Sequence, residues 1–192
     1  MYFSKPFAPL ILAIALAATG CSRGDKPAAA ASATWAKYGL TFQYPVSWQI
    51  GDEMDRGDGM EIVTVTIENA GTWDASLVML QTFEPALPAT FDVLAAQYLD
   101  AMPEALEDSG MADAKAVDEQ PVTYTILNKE RAGKRVRLRG QVAGQDHEIV
   151  TEFHVIELAN RTLVLQTQAP VTDLKAADAG FAMVRKSLAL QP

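Results

Sequence analysis

His147, Glu148, Glu152 and His154 bring imidazoles and carboxylates into one short stretch, the raw material of a metal site or an acid–base pair. On a strand, successive side chains alternate between faces. Glu148, Glu152 and His154 then share one side and His147 takes the other, so at most one histidine joins the carboxylates. Arginines expected across the ladder disfavour a cation, and the pattern reads as an ion-paired sheet face with no metal. Asp52, Asp55 and Asp58 among Gly51, Gly57 and Gly59 have the composition of a calcium loop. They lack the alternating oxygen ligands and closing glutamate of an EF-hand, so a flexible acidic hairpin loop is expected. No Gly-x-Ser-x-Gly occurs, and neither histidine has an evident serine partner for nucleophilic hydrolysis. Glycosidase chemistry needs only two suitably spaced carboxylates, and nothing selects a pair among the 24 acidic residues. Neither an enzyme nor a cofactor is expected.

A second constellation is cationic. Lys129, Arg131, Lys134, Arg135, Arg137 and Arg139 crowd one segment of a chain whose formal charge is −8. Arg135, Arg137 and Arg139 recur at the period of a strand, giving a candidate binding patch for anionic headgroups, polysaccharide or an acidic protein partner. The competing reading is a polar sheet face balanced by Glu130, Glu148 and Glu152, where exposed cross-strand pairs contribute little stability. The acidic balance argues against nonspecific nucleic-acid binding.

Cys21 is the one cysteine. It follows Ala18-Thr19-Gly20 and the apolar run from Phe7 to Ala18, with Lys5 as a thin basic start. That run is shorter than the roughly 20 residues a spanning helix needs. A lone cysteine in an exported chain has no internal disulfide partner. Residues 1–20 therefore resemble a bacterial lipoprotein signal peptide, cut before Cys21, whose sulfur would carry the lipid. Several acyl chains on one residue anchor durably. Ser22, where aspartate would suggest retention in the inner membrane, favours the outer membrane facing the periplasm. Residues 21–34 form the lipidated cysteine and an alanine-rich flexible tether, in which Ser22 to Thr34 reach at most ~45 Å at about 3.5 Å per residue. Residues 35–192 suit one domain with a full core.

The elements that must position these groups read as short strands with two helical interruptions. Leu40 to Tyr44 alternates before Pro45, and Trp48 supplies an apolar anchor. Met60 to Glu68 puts Val63, Val65 and Ile67 on one face, while Leu77 to Phe83 is apolar on both, as in a strand covered from two sides. Thr90 caps a helix carrying Phe91, Leu94, Ala95, Tyr98, Leu99 and Met102 at spacings of three and four. Pro103 ends or kinks it, and Gly110 closes the segment. Period two returns at Val122, Tyr124 and Ile126. A hairpin joins residues 134–142 to 147–158. A Gly144-Gln145 turn would set Arg137 opposite Glu152, Arg135 opposite His154, Gln141 opposite Glu148 and Val136 opposite Phe153. After a strand from Thr162 to Thr167, Thr172 caps a last helix whose buried stripe is Leu174, Ala177, Phe181, Val184 and Leu188.

Two stretches resemble a known family. The run from Tyr38 through Gly39, Phe42, Tyr44 and Pro45 to Trp48, and the closing Phe181, Val184 and Ser187-Leu188, are similar to the two ends of PsbP/Mog-like domains, including DcrB-like bacterial members. The resemblance covers residues 35–190. It implies an α+β fold, an antiparallel sheet covered by helices on both faces as an α/β/α sandwich. Related domains include an accessory subunit of photosystem II and a binder of a small GTPase. By analogy this implies a noncatalytic envelope lipoprotein serving as accessory or binding module for a protein partner. The alternative is a carrier or sensor of a small apolar ligand, held in a cavity lined by Phe91, Tyr98, Phe153 and Phe181. An apolar cavity of a few hundred Å³ would mark the carrier, and a filled interior the accessory module.

Overall fold

The computed structural model describes residues 31–69 and 75–191. Cys21, the expected leader and the tether up to residue 30 lie outside the described residues. The order is β1 (Ser32–Lys37), β2 (Leu40–Pro45), β3 (Gln49–Gly57), β4 (Met60–Glu68), β5 (Leu77–Glu84) and α1 (Phe91–Asp108). It continues with β6 (Ala112–Ile126), β7 (Lys129–Val142), β8 (Gln145–Glu157), β9 (Thr162–Pro170), α2 (Leu174–Ser187) and β10 (Ala189–Leu190). A seven-stranded antiparallel sheet runs β3-β4-β5-β9-β8-β7-β6, and a smaller sheet runs β1-β2-β10.

Alternation along the strands separates two cores. On one face Val63, Val65 and Ile67 of β4, Leu80 of β5 and Leu165 of β9 pack with Ala177, Phe181 and Val184 of α2. Leu40 and Phe42 of the small sheet join that core, so the layer here combines a helix with three strands. On the opposite face Val136, Leu138, Ile149 and Phe153 pack with Ala95, Met102 and Leu106 of α1. Removing a side chain such as Phe181 from water contributes about 1.5–3 kcal/mol. The doubly apolar β5 follows from this plan, with Val78 and Leu80 toward α2 and Leu77 and Met79 toward the α1 face. Among the described residues no helix is long and apolar enough to cross a membrane.

Local chemistry moved several expected boundaries. The stretch containing Asp52 and Asp55 is a strand, not a flexible loop: β3 pairs with β4 from Gln49–Glu68 to Gly57–Met60. Only Asp58 and Gly59 turn, with φ of 51° and 78°, the left-handed pair a type I′ hairpin requires. In the β7–β8 hairpin the same geometry falls on Ala143 and Gly144, with φ of 50° and 78°. Val142 therefore pairs with Gln145, and the ladder slips by two from the expected register. Arg135 faces Glu152, Arg139 faces Glu148, Gln141 faces Asp146 and Val136 faces Thr151. A slip of two keeps every side chain on its face. Helix α1 runs through Pro103. It ends at Ser109 in a Schellman motif, where Gly110 (φ 97°) donates to the Glu107 carbonyl and Met111 to that of Leu106. The cap residue of α2 is Asp173, one beyond the expected Thr172. Ser32, Ala33 and Thr34, expected in the tether, pair with Pro45, Tyr44 and Gln43.

Candidate functional site

Arg135 and Glu152 are cross-strand partners, so both point to the α2 face, where Tyr124 of β6 and His154 of β8 also lie. Helix α2 crosses above them and leaves an open cleft of about 660 Å³. Tyr124, Arg135 and Glu152 line it from the sheet, and Leu174, Phe181 and Arg185 from the helix.

Glu152 is the hub and only 5% exposed. Its Oε1 accepts from Arg135 Nε at 2.6 Å and from the Tyr124 hydroxyl at 3.2 Å. Its Oε2 accepts from Arg185 Nη1 at 3.3 Å. Arg135 Nη2 donates to the Tyr124 hydroxyl at 3.2 Å. Arg185 is 6% exposed, and its guanidinium carbon lies 4.1 Å from the Tyr124 ring centroid, a cation–π stack. Its Nη2 reaches Asp178 Oδ1 at 3.5 Å, from a carboxylate whose side chain is 70% exposed. One buried carboxylate thus serves two guanidiniums. Lys175 and Lys186 at the rim add positive charge against Asp178. The cleft is cationic on an acidic protein.

His154 is buried, its ring 5.4 Å from that of Tyr124. Nδ1 lies 3.2 Å from the Ala132 carbonyl oxygen, which can only accept, so Nδ1 carries the proton. Burial pushes the pKa of His154 below its usual value, against the opposing pull of the Ala132 carbonyl. The imidazole is neutral at pH 7, and its buried Nε2 has no hydrogen-bond partner. Gly133 makes room for this ring, since a Cβ there would stand 2.3 Å from His154 Nδ1.

The carboxylates of the histidine stretch do not converge on it. Glu148 accepts from Arg139 Nε at 2.8 Å and lies 4.0 Å from Arg137 Nη1. His147 pairs with Gly140 and points to the other face. Among the described residues no group of three His, Cys, Asp or Glu side chains could hold a metal. Asp52 accepts from Lys37 Nζ at 2.9 Å and from the Tyr38 hydroxyl at 2.8 Å, and the Lys37 ammonium holds its carboxyl below the usual range.

Arg135, Arg137 and Arg139 do share one face. Arg135 enters the cleft, while Arg137 and Arg139, 47% and 53% exposed, continue outward and share Glu148. The cleft adds Lys175, Arg185 and Lys186, which no sequence motif singles out, and Tyr124, which the sequence marks only as a strand residue. A signal did exist: Asp178 and Arg185 sit seven apart beside the stripe Leu174–Phe181, which places two charges along the apolar side of the last helix.

Phe91, Tyr98 and Phe153 do meet, with ring centroids 6.1 Å and 5.6 Å from Phe153. Phe181 does not join them. It packs on the opposite face against Trp48, edge to face at 5.8 Å, because helical periodicity specifies burial without specifying which sheet face does the burying. The expected four-residue cavity is therefore not formed. Two neighbouring grooves under α1, about 450 and 280 Å³, instead share Gln81, Tyr98 and Ala101. The Tyr98 hydroxyl donates to Gln166 there, and burial pushes its pKa far above the usual value.

No family model matches the sequence, and a search of curated proteins found no match. Solved structures are more informative. The cyanobacterial PsbP protein CyanoP of Synechocystis sp. PCC 6803 superposes with a TM-score of 0.52 at 12% identity, over 88% of this chain and 98% of that one. LpqN of Mycobacterium tuberculosis, described as involved in cell envelope biogenesis, gives 0.46 at 11% identity over 84% and 91%. The Ran-binding protein Mog1p of Saccharomyces cerevisiae gives 0.40 at 12% identity over 83% and 95%. The likeness to CyanoP, together with the antiparallel sheet and its two helices, gives the chain a PsbP/Mog-like fold.

Proposed function

We propose that the protein is a noncatalytic lipoprotein of the cell envelope, anchored through Cys21 at the outer membrane facing the periplasm, and that its domain binds a protein partner as an accessory module. The observation that carries this reading is the row of Arg137 and Arg139, half exposed and sharing the single carboxylate of Glu148, on a chain of net charge −8. Such a row suits an acidic partner surface, because complementary charge speeds encounter and suppresses wrong partners. The PsbP/Mog-like fold supports the reading by analogy only, since one fold hosts many functions. The test is in-cell crosslinking of the lipidated protein, with mass spectrometry of captured partners, beside an Arg137→Glu/Arg139→Glu variant. A reproducible envelope partner lost in the variant is the expected outcome. Capture of the same partner at undiminished yield refutes the role of this face.

The grooves under α1 favour a second reading, a carrier of a small apolar ligand. Their volumes fall within or near the range of ligand sites. N-phenyl-1-naphthylamine would then bind the wild-type domain and fail to bind Ala101→Trp, since Ala101 lines both grooves. Equal fluorescence with both proteins rejects the carrier.

A further inference from the structure

We propose that the cleft between α2 and strands β6–β8 binds a small amphipathic organic anion, a molecule with an apolar or aromatic body and one negatively charged head. This goes beyond the protein-binding row and concerns the sheet face opposite the α1 grooves.

The shape is suitable, since about 660 Å³ falls within the range of small-molecule sites. Leu174 and Phe181 supply an apolar wall for the body of the ligand. The charge selects the head. Arg135, Arg185, Lys175 and Lys186 outnumber Glu152 and Asp178 around the opening. Glu152 is already saturated by Arg135, Tyr124 and Arg185, so its charge does not repel a ligand with full strength.

Arg185 is the decisive group. Its guanidinium is clamped between the Tyr124 ring and Glu152, so it is ordered before any ligand arrives and little side-chain entropy is lost on binding. Its Nη2 is engaged only at 3.5 Å by the exposed Asp178. A carboxylate, sulfonate or phosphate head can displace that long contact and accept a shorter, charge-assisted bond from a rigid planar donor. A cationic head would meet four like charges, and a neutral one would leave the surplus unpaired.

The test uses two dyes that share a skeleton and differ in charge. 1-Anilinonaphthalene-8-sulfonate carries the anionic head, and N-phenyl-1-naphthylamine lacks it. Titrated into the folded protein by fluorescence and calorimetry, the sulfonate dye should bind one to one, and Lys175→Glu/Lys186→Glu should weaken it about tenfold or more. That variant alters exposed rim residues, and N-phenyl-1-naphthylamine binding should not change. Ala182→Trp, which fills the cleft from the helix side, should abolish sulfonate binding. Unchanged circular dichroism shows that the variants are folded. Sulfonate binding indifferent to both variants, or no preference for the sulfonate over its uncharged analogue at this cleft, overturns the proposal.

Discussion

Glu152→Ala should be among the most damaging single substitutions in the domain, and the structure says why. Glu152 and Arg185 are 5% and 6% exposed, so neither is compensated by water. Arg135, 38% exposed, can turn outward when its partner is lost. Arg185 cannot: it projects from α2 against the sheet, left with the Tyr124 ring and with Asp178 at 3.5 Å. Removing one partner of a buried pair costs about 3–5 kcal/mol, chiefly the penalty of the stranded charge. With a urea slope of about 2 kcal/mol/M, the unfolding midpoint should fall by about 2 M. The companion variant, Glu152→Leu/Arg185→Met, removes both charges and should lie within about 1 kcal/mol of wild type. Urea titration followed by tryptophan fluorescence of this double variant, with Glu152→Leu and Arg185→Met each alone, gives the double-mutant cycle. A loss below about 1 kcal/mol for Glu152→Ala, or a double variant as unstable as the sum of the singles, would refute the account of Glu152 as the hub.

Gly133→Ala should destabilise by about 2–3 kcal/mol, because its Cβ would stand 2.3 Å from the His154 ring and 2.7 Å from the Phe153 carbonyl oxygen. Adding His154→Ala should restore part of the loss in the same urea assay, and strict additivity would count against steric coupling. Stability should also fall with acidification. The buried His154 has a lowered pKa, so below about pH 6.5 the unfolded chain takes up a proton that the folded one refuses, at a slope of up to ~1.4 kcal/mol per pH unit. The difference between wild-type and His154→Asn midpoints should shrink from pH 7.5 to pH 5, and a pH-independent difference would contradict it. Gly180→Ala places a Cβ 2.7 Å from Trp48 Cζ2 and should cost about 1–3 kcal/mol with a shift in tryptophan emission. Unchanged emission would show that Trp48 does not pack where described.

Legibility followed burial. Met60–Glu68 was readable to the residue because Val63, Val65 and Ile67 face a dry core while the intervening positions are polar. Strand β3 reads as an acidic loop and the first half of β6 carries no strand signal, because both are edge strands whose exposed residues, such as Glu53, Asp55, Asp118 and Glu119, need no alternation. The arginine face was legible, since parity survives a slip of two, but the partners of each arginine were not. They depend on whether the left-handed pair falls on Ala143-Gly144 or Gly144-Gln145. Of the cleft, the sequence carries only the two charges beside the apolar stripe of the last helix. Tyr124, Glu152 and Arg185 come from three separate elements, and only the seating of α2 brings them together.

The small sheet has a mechanical consequence. Its strand β1 leaves the chain's N-terminal side at Ser32, paired with Pro45, and folds back through Tyr38 and Gly39 into β2. Tension drawn through residues preceding Ser32 would load this hairpin at its open end, so its ladder would unzip pair by pair, from Ser32–Pro45 toward Lys37–Leu40. The peeled strand carries Trp35, which stacks on Phe42 at 5.1 Å, so its departure would bare an aromatic strip. Strand β10 on the other edge of β2 would remain. Pulled from a surface, the molecule would yield first at the hairpin, leaving the arginine cleft and the seven-stranded sheet intact.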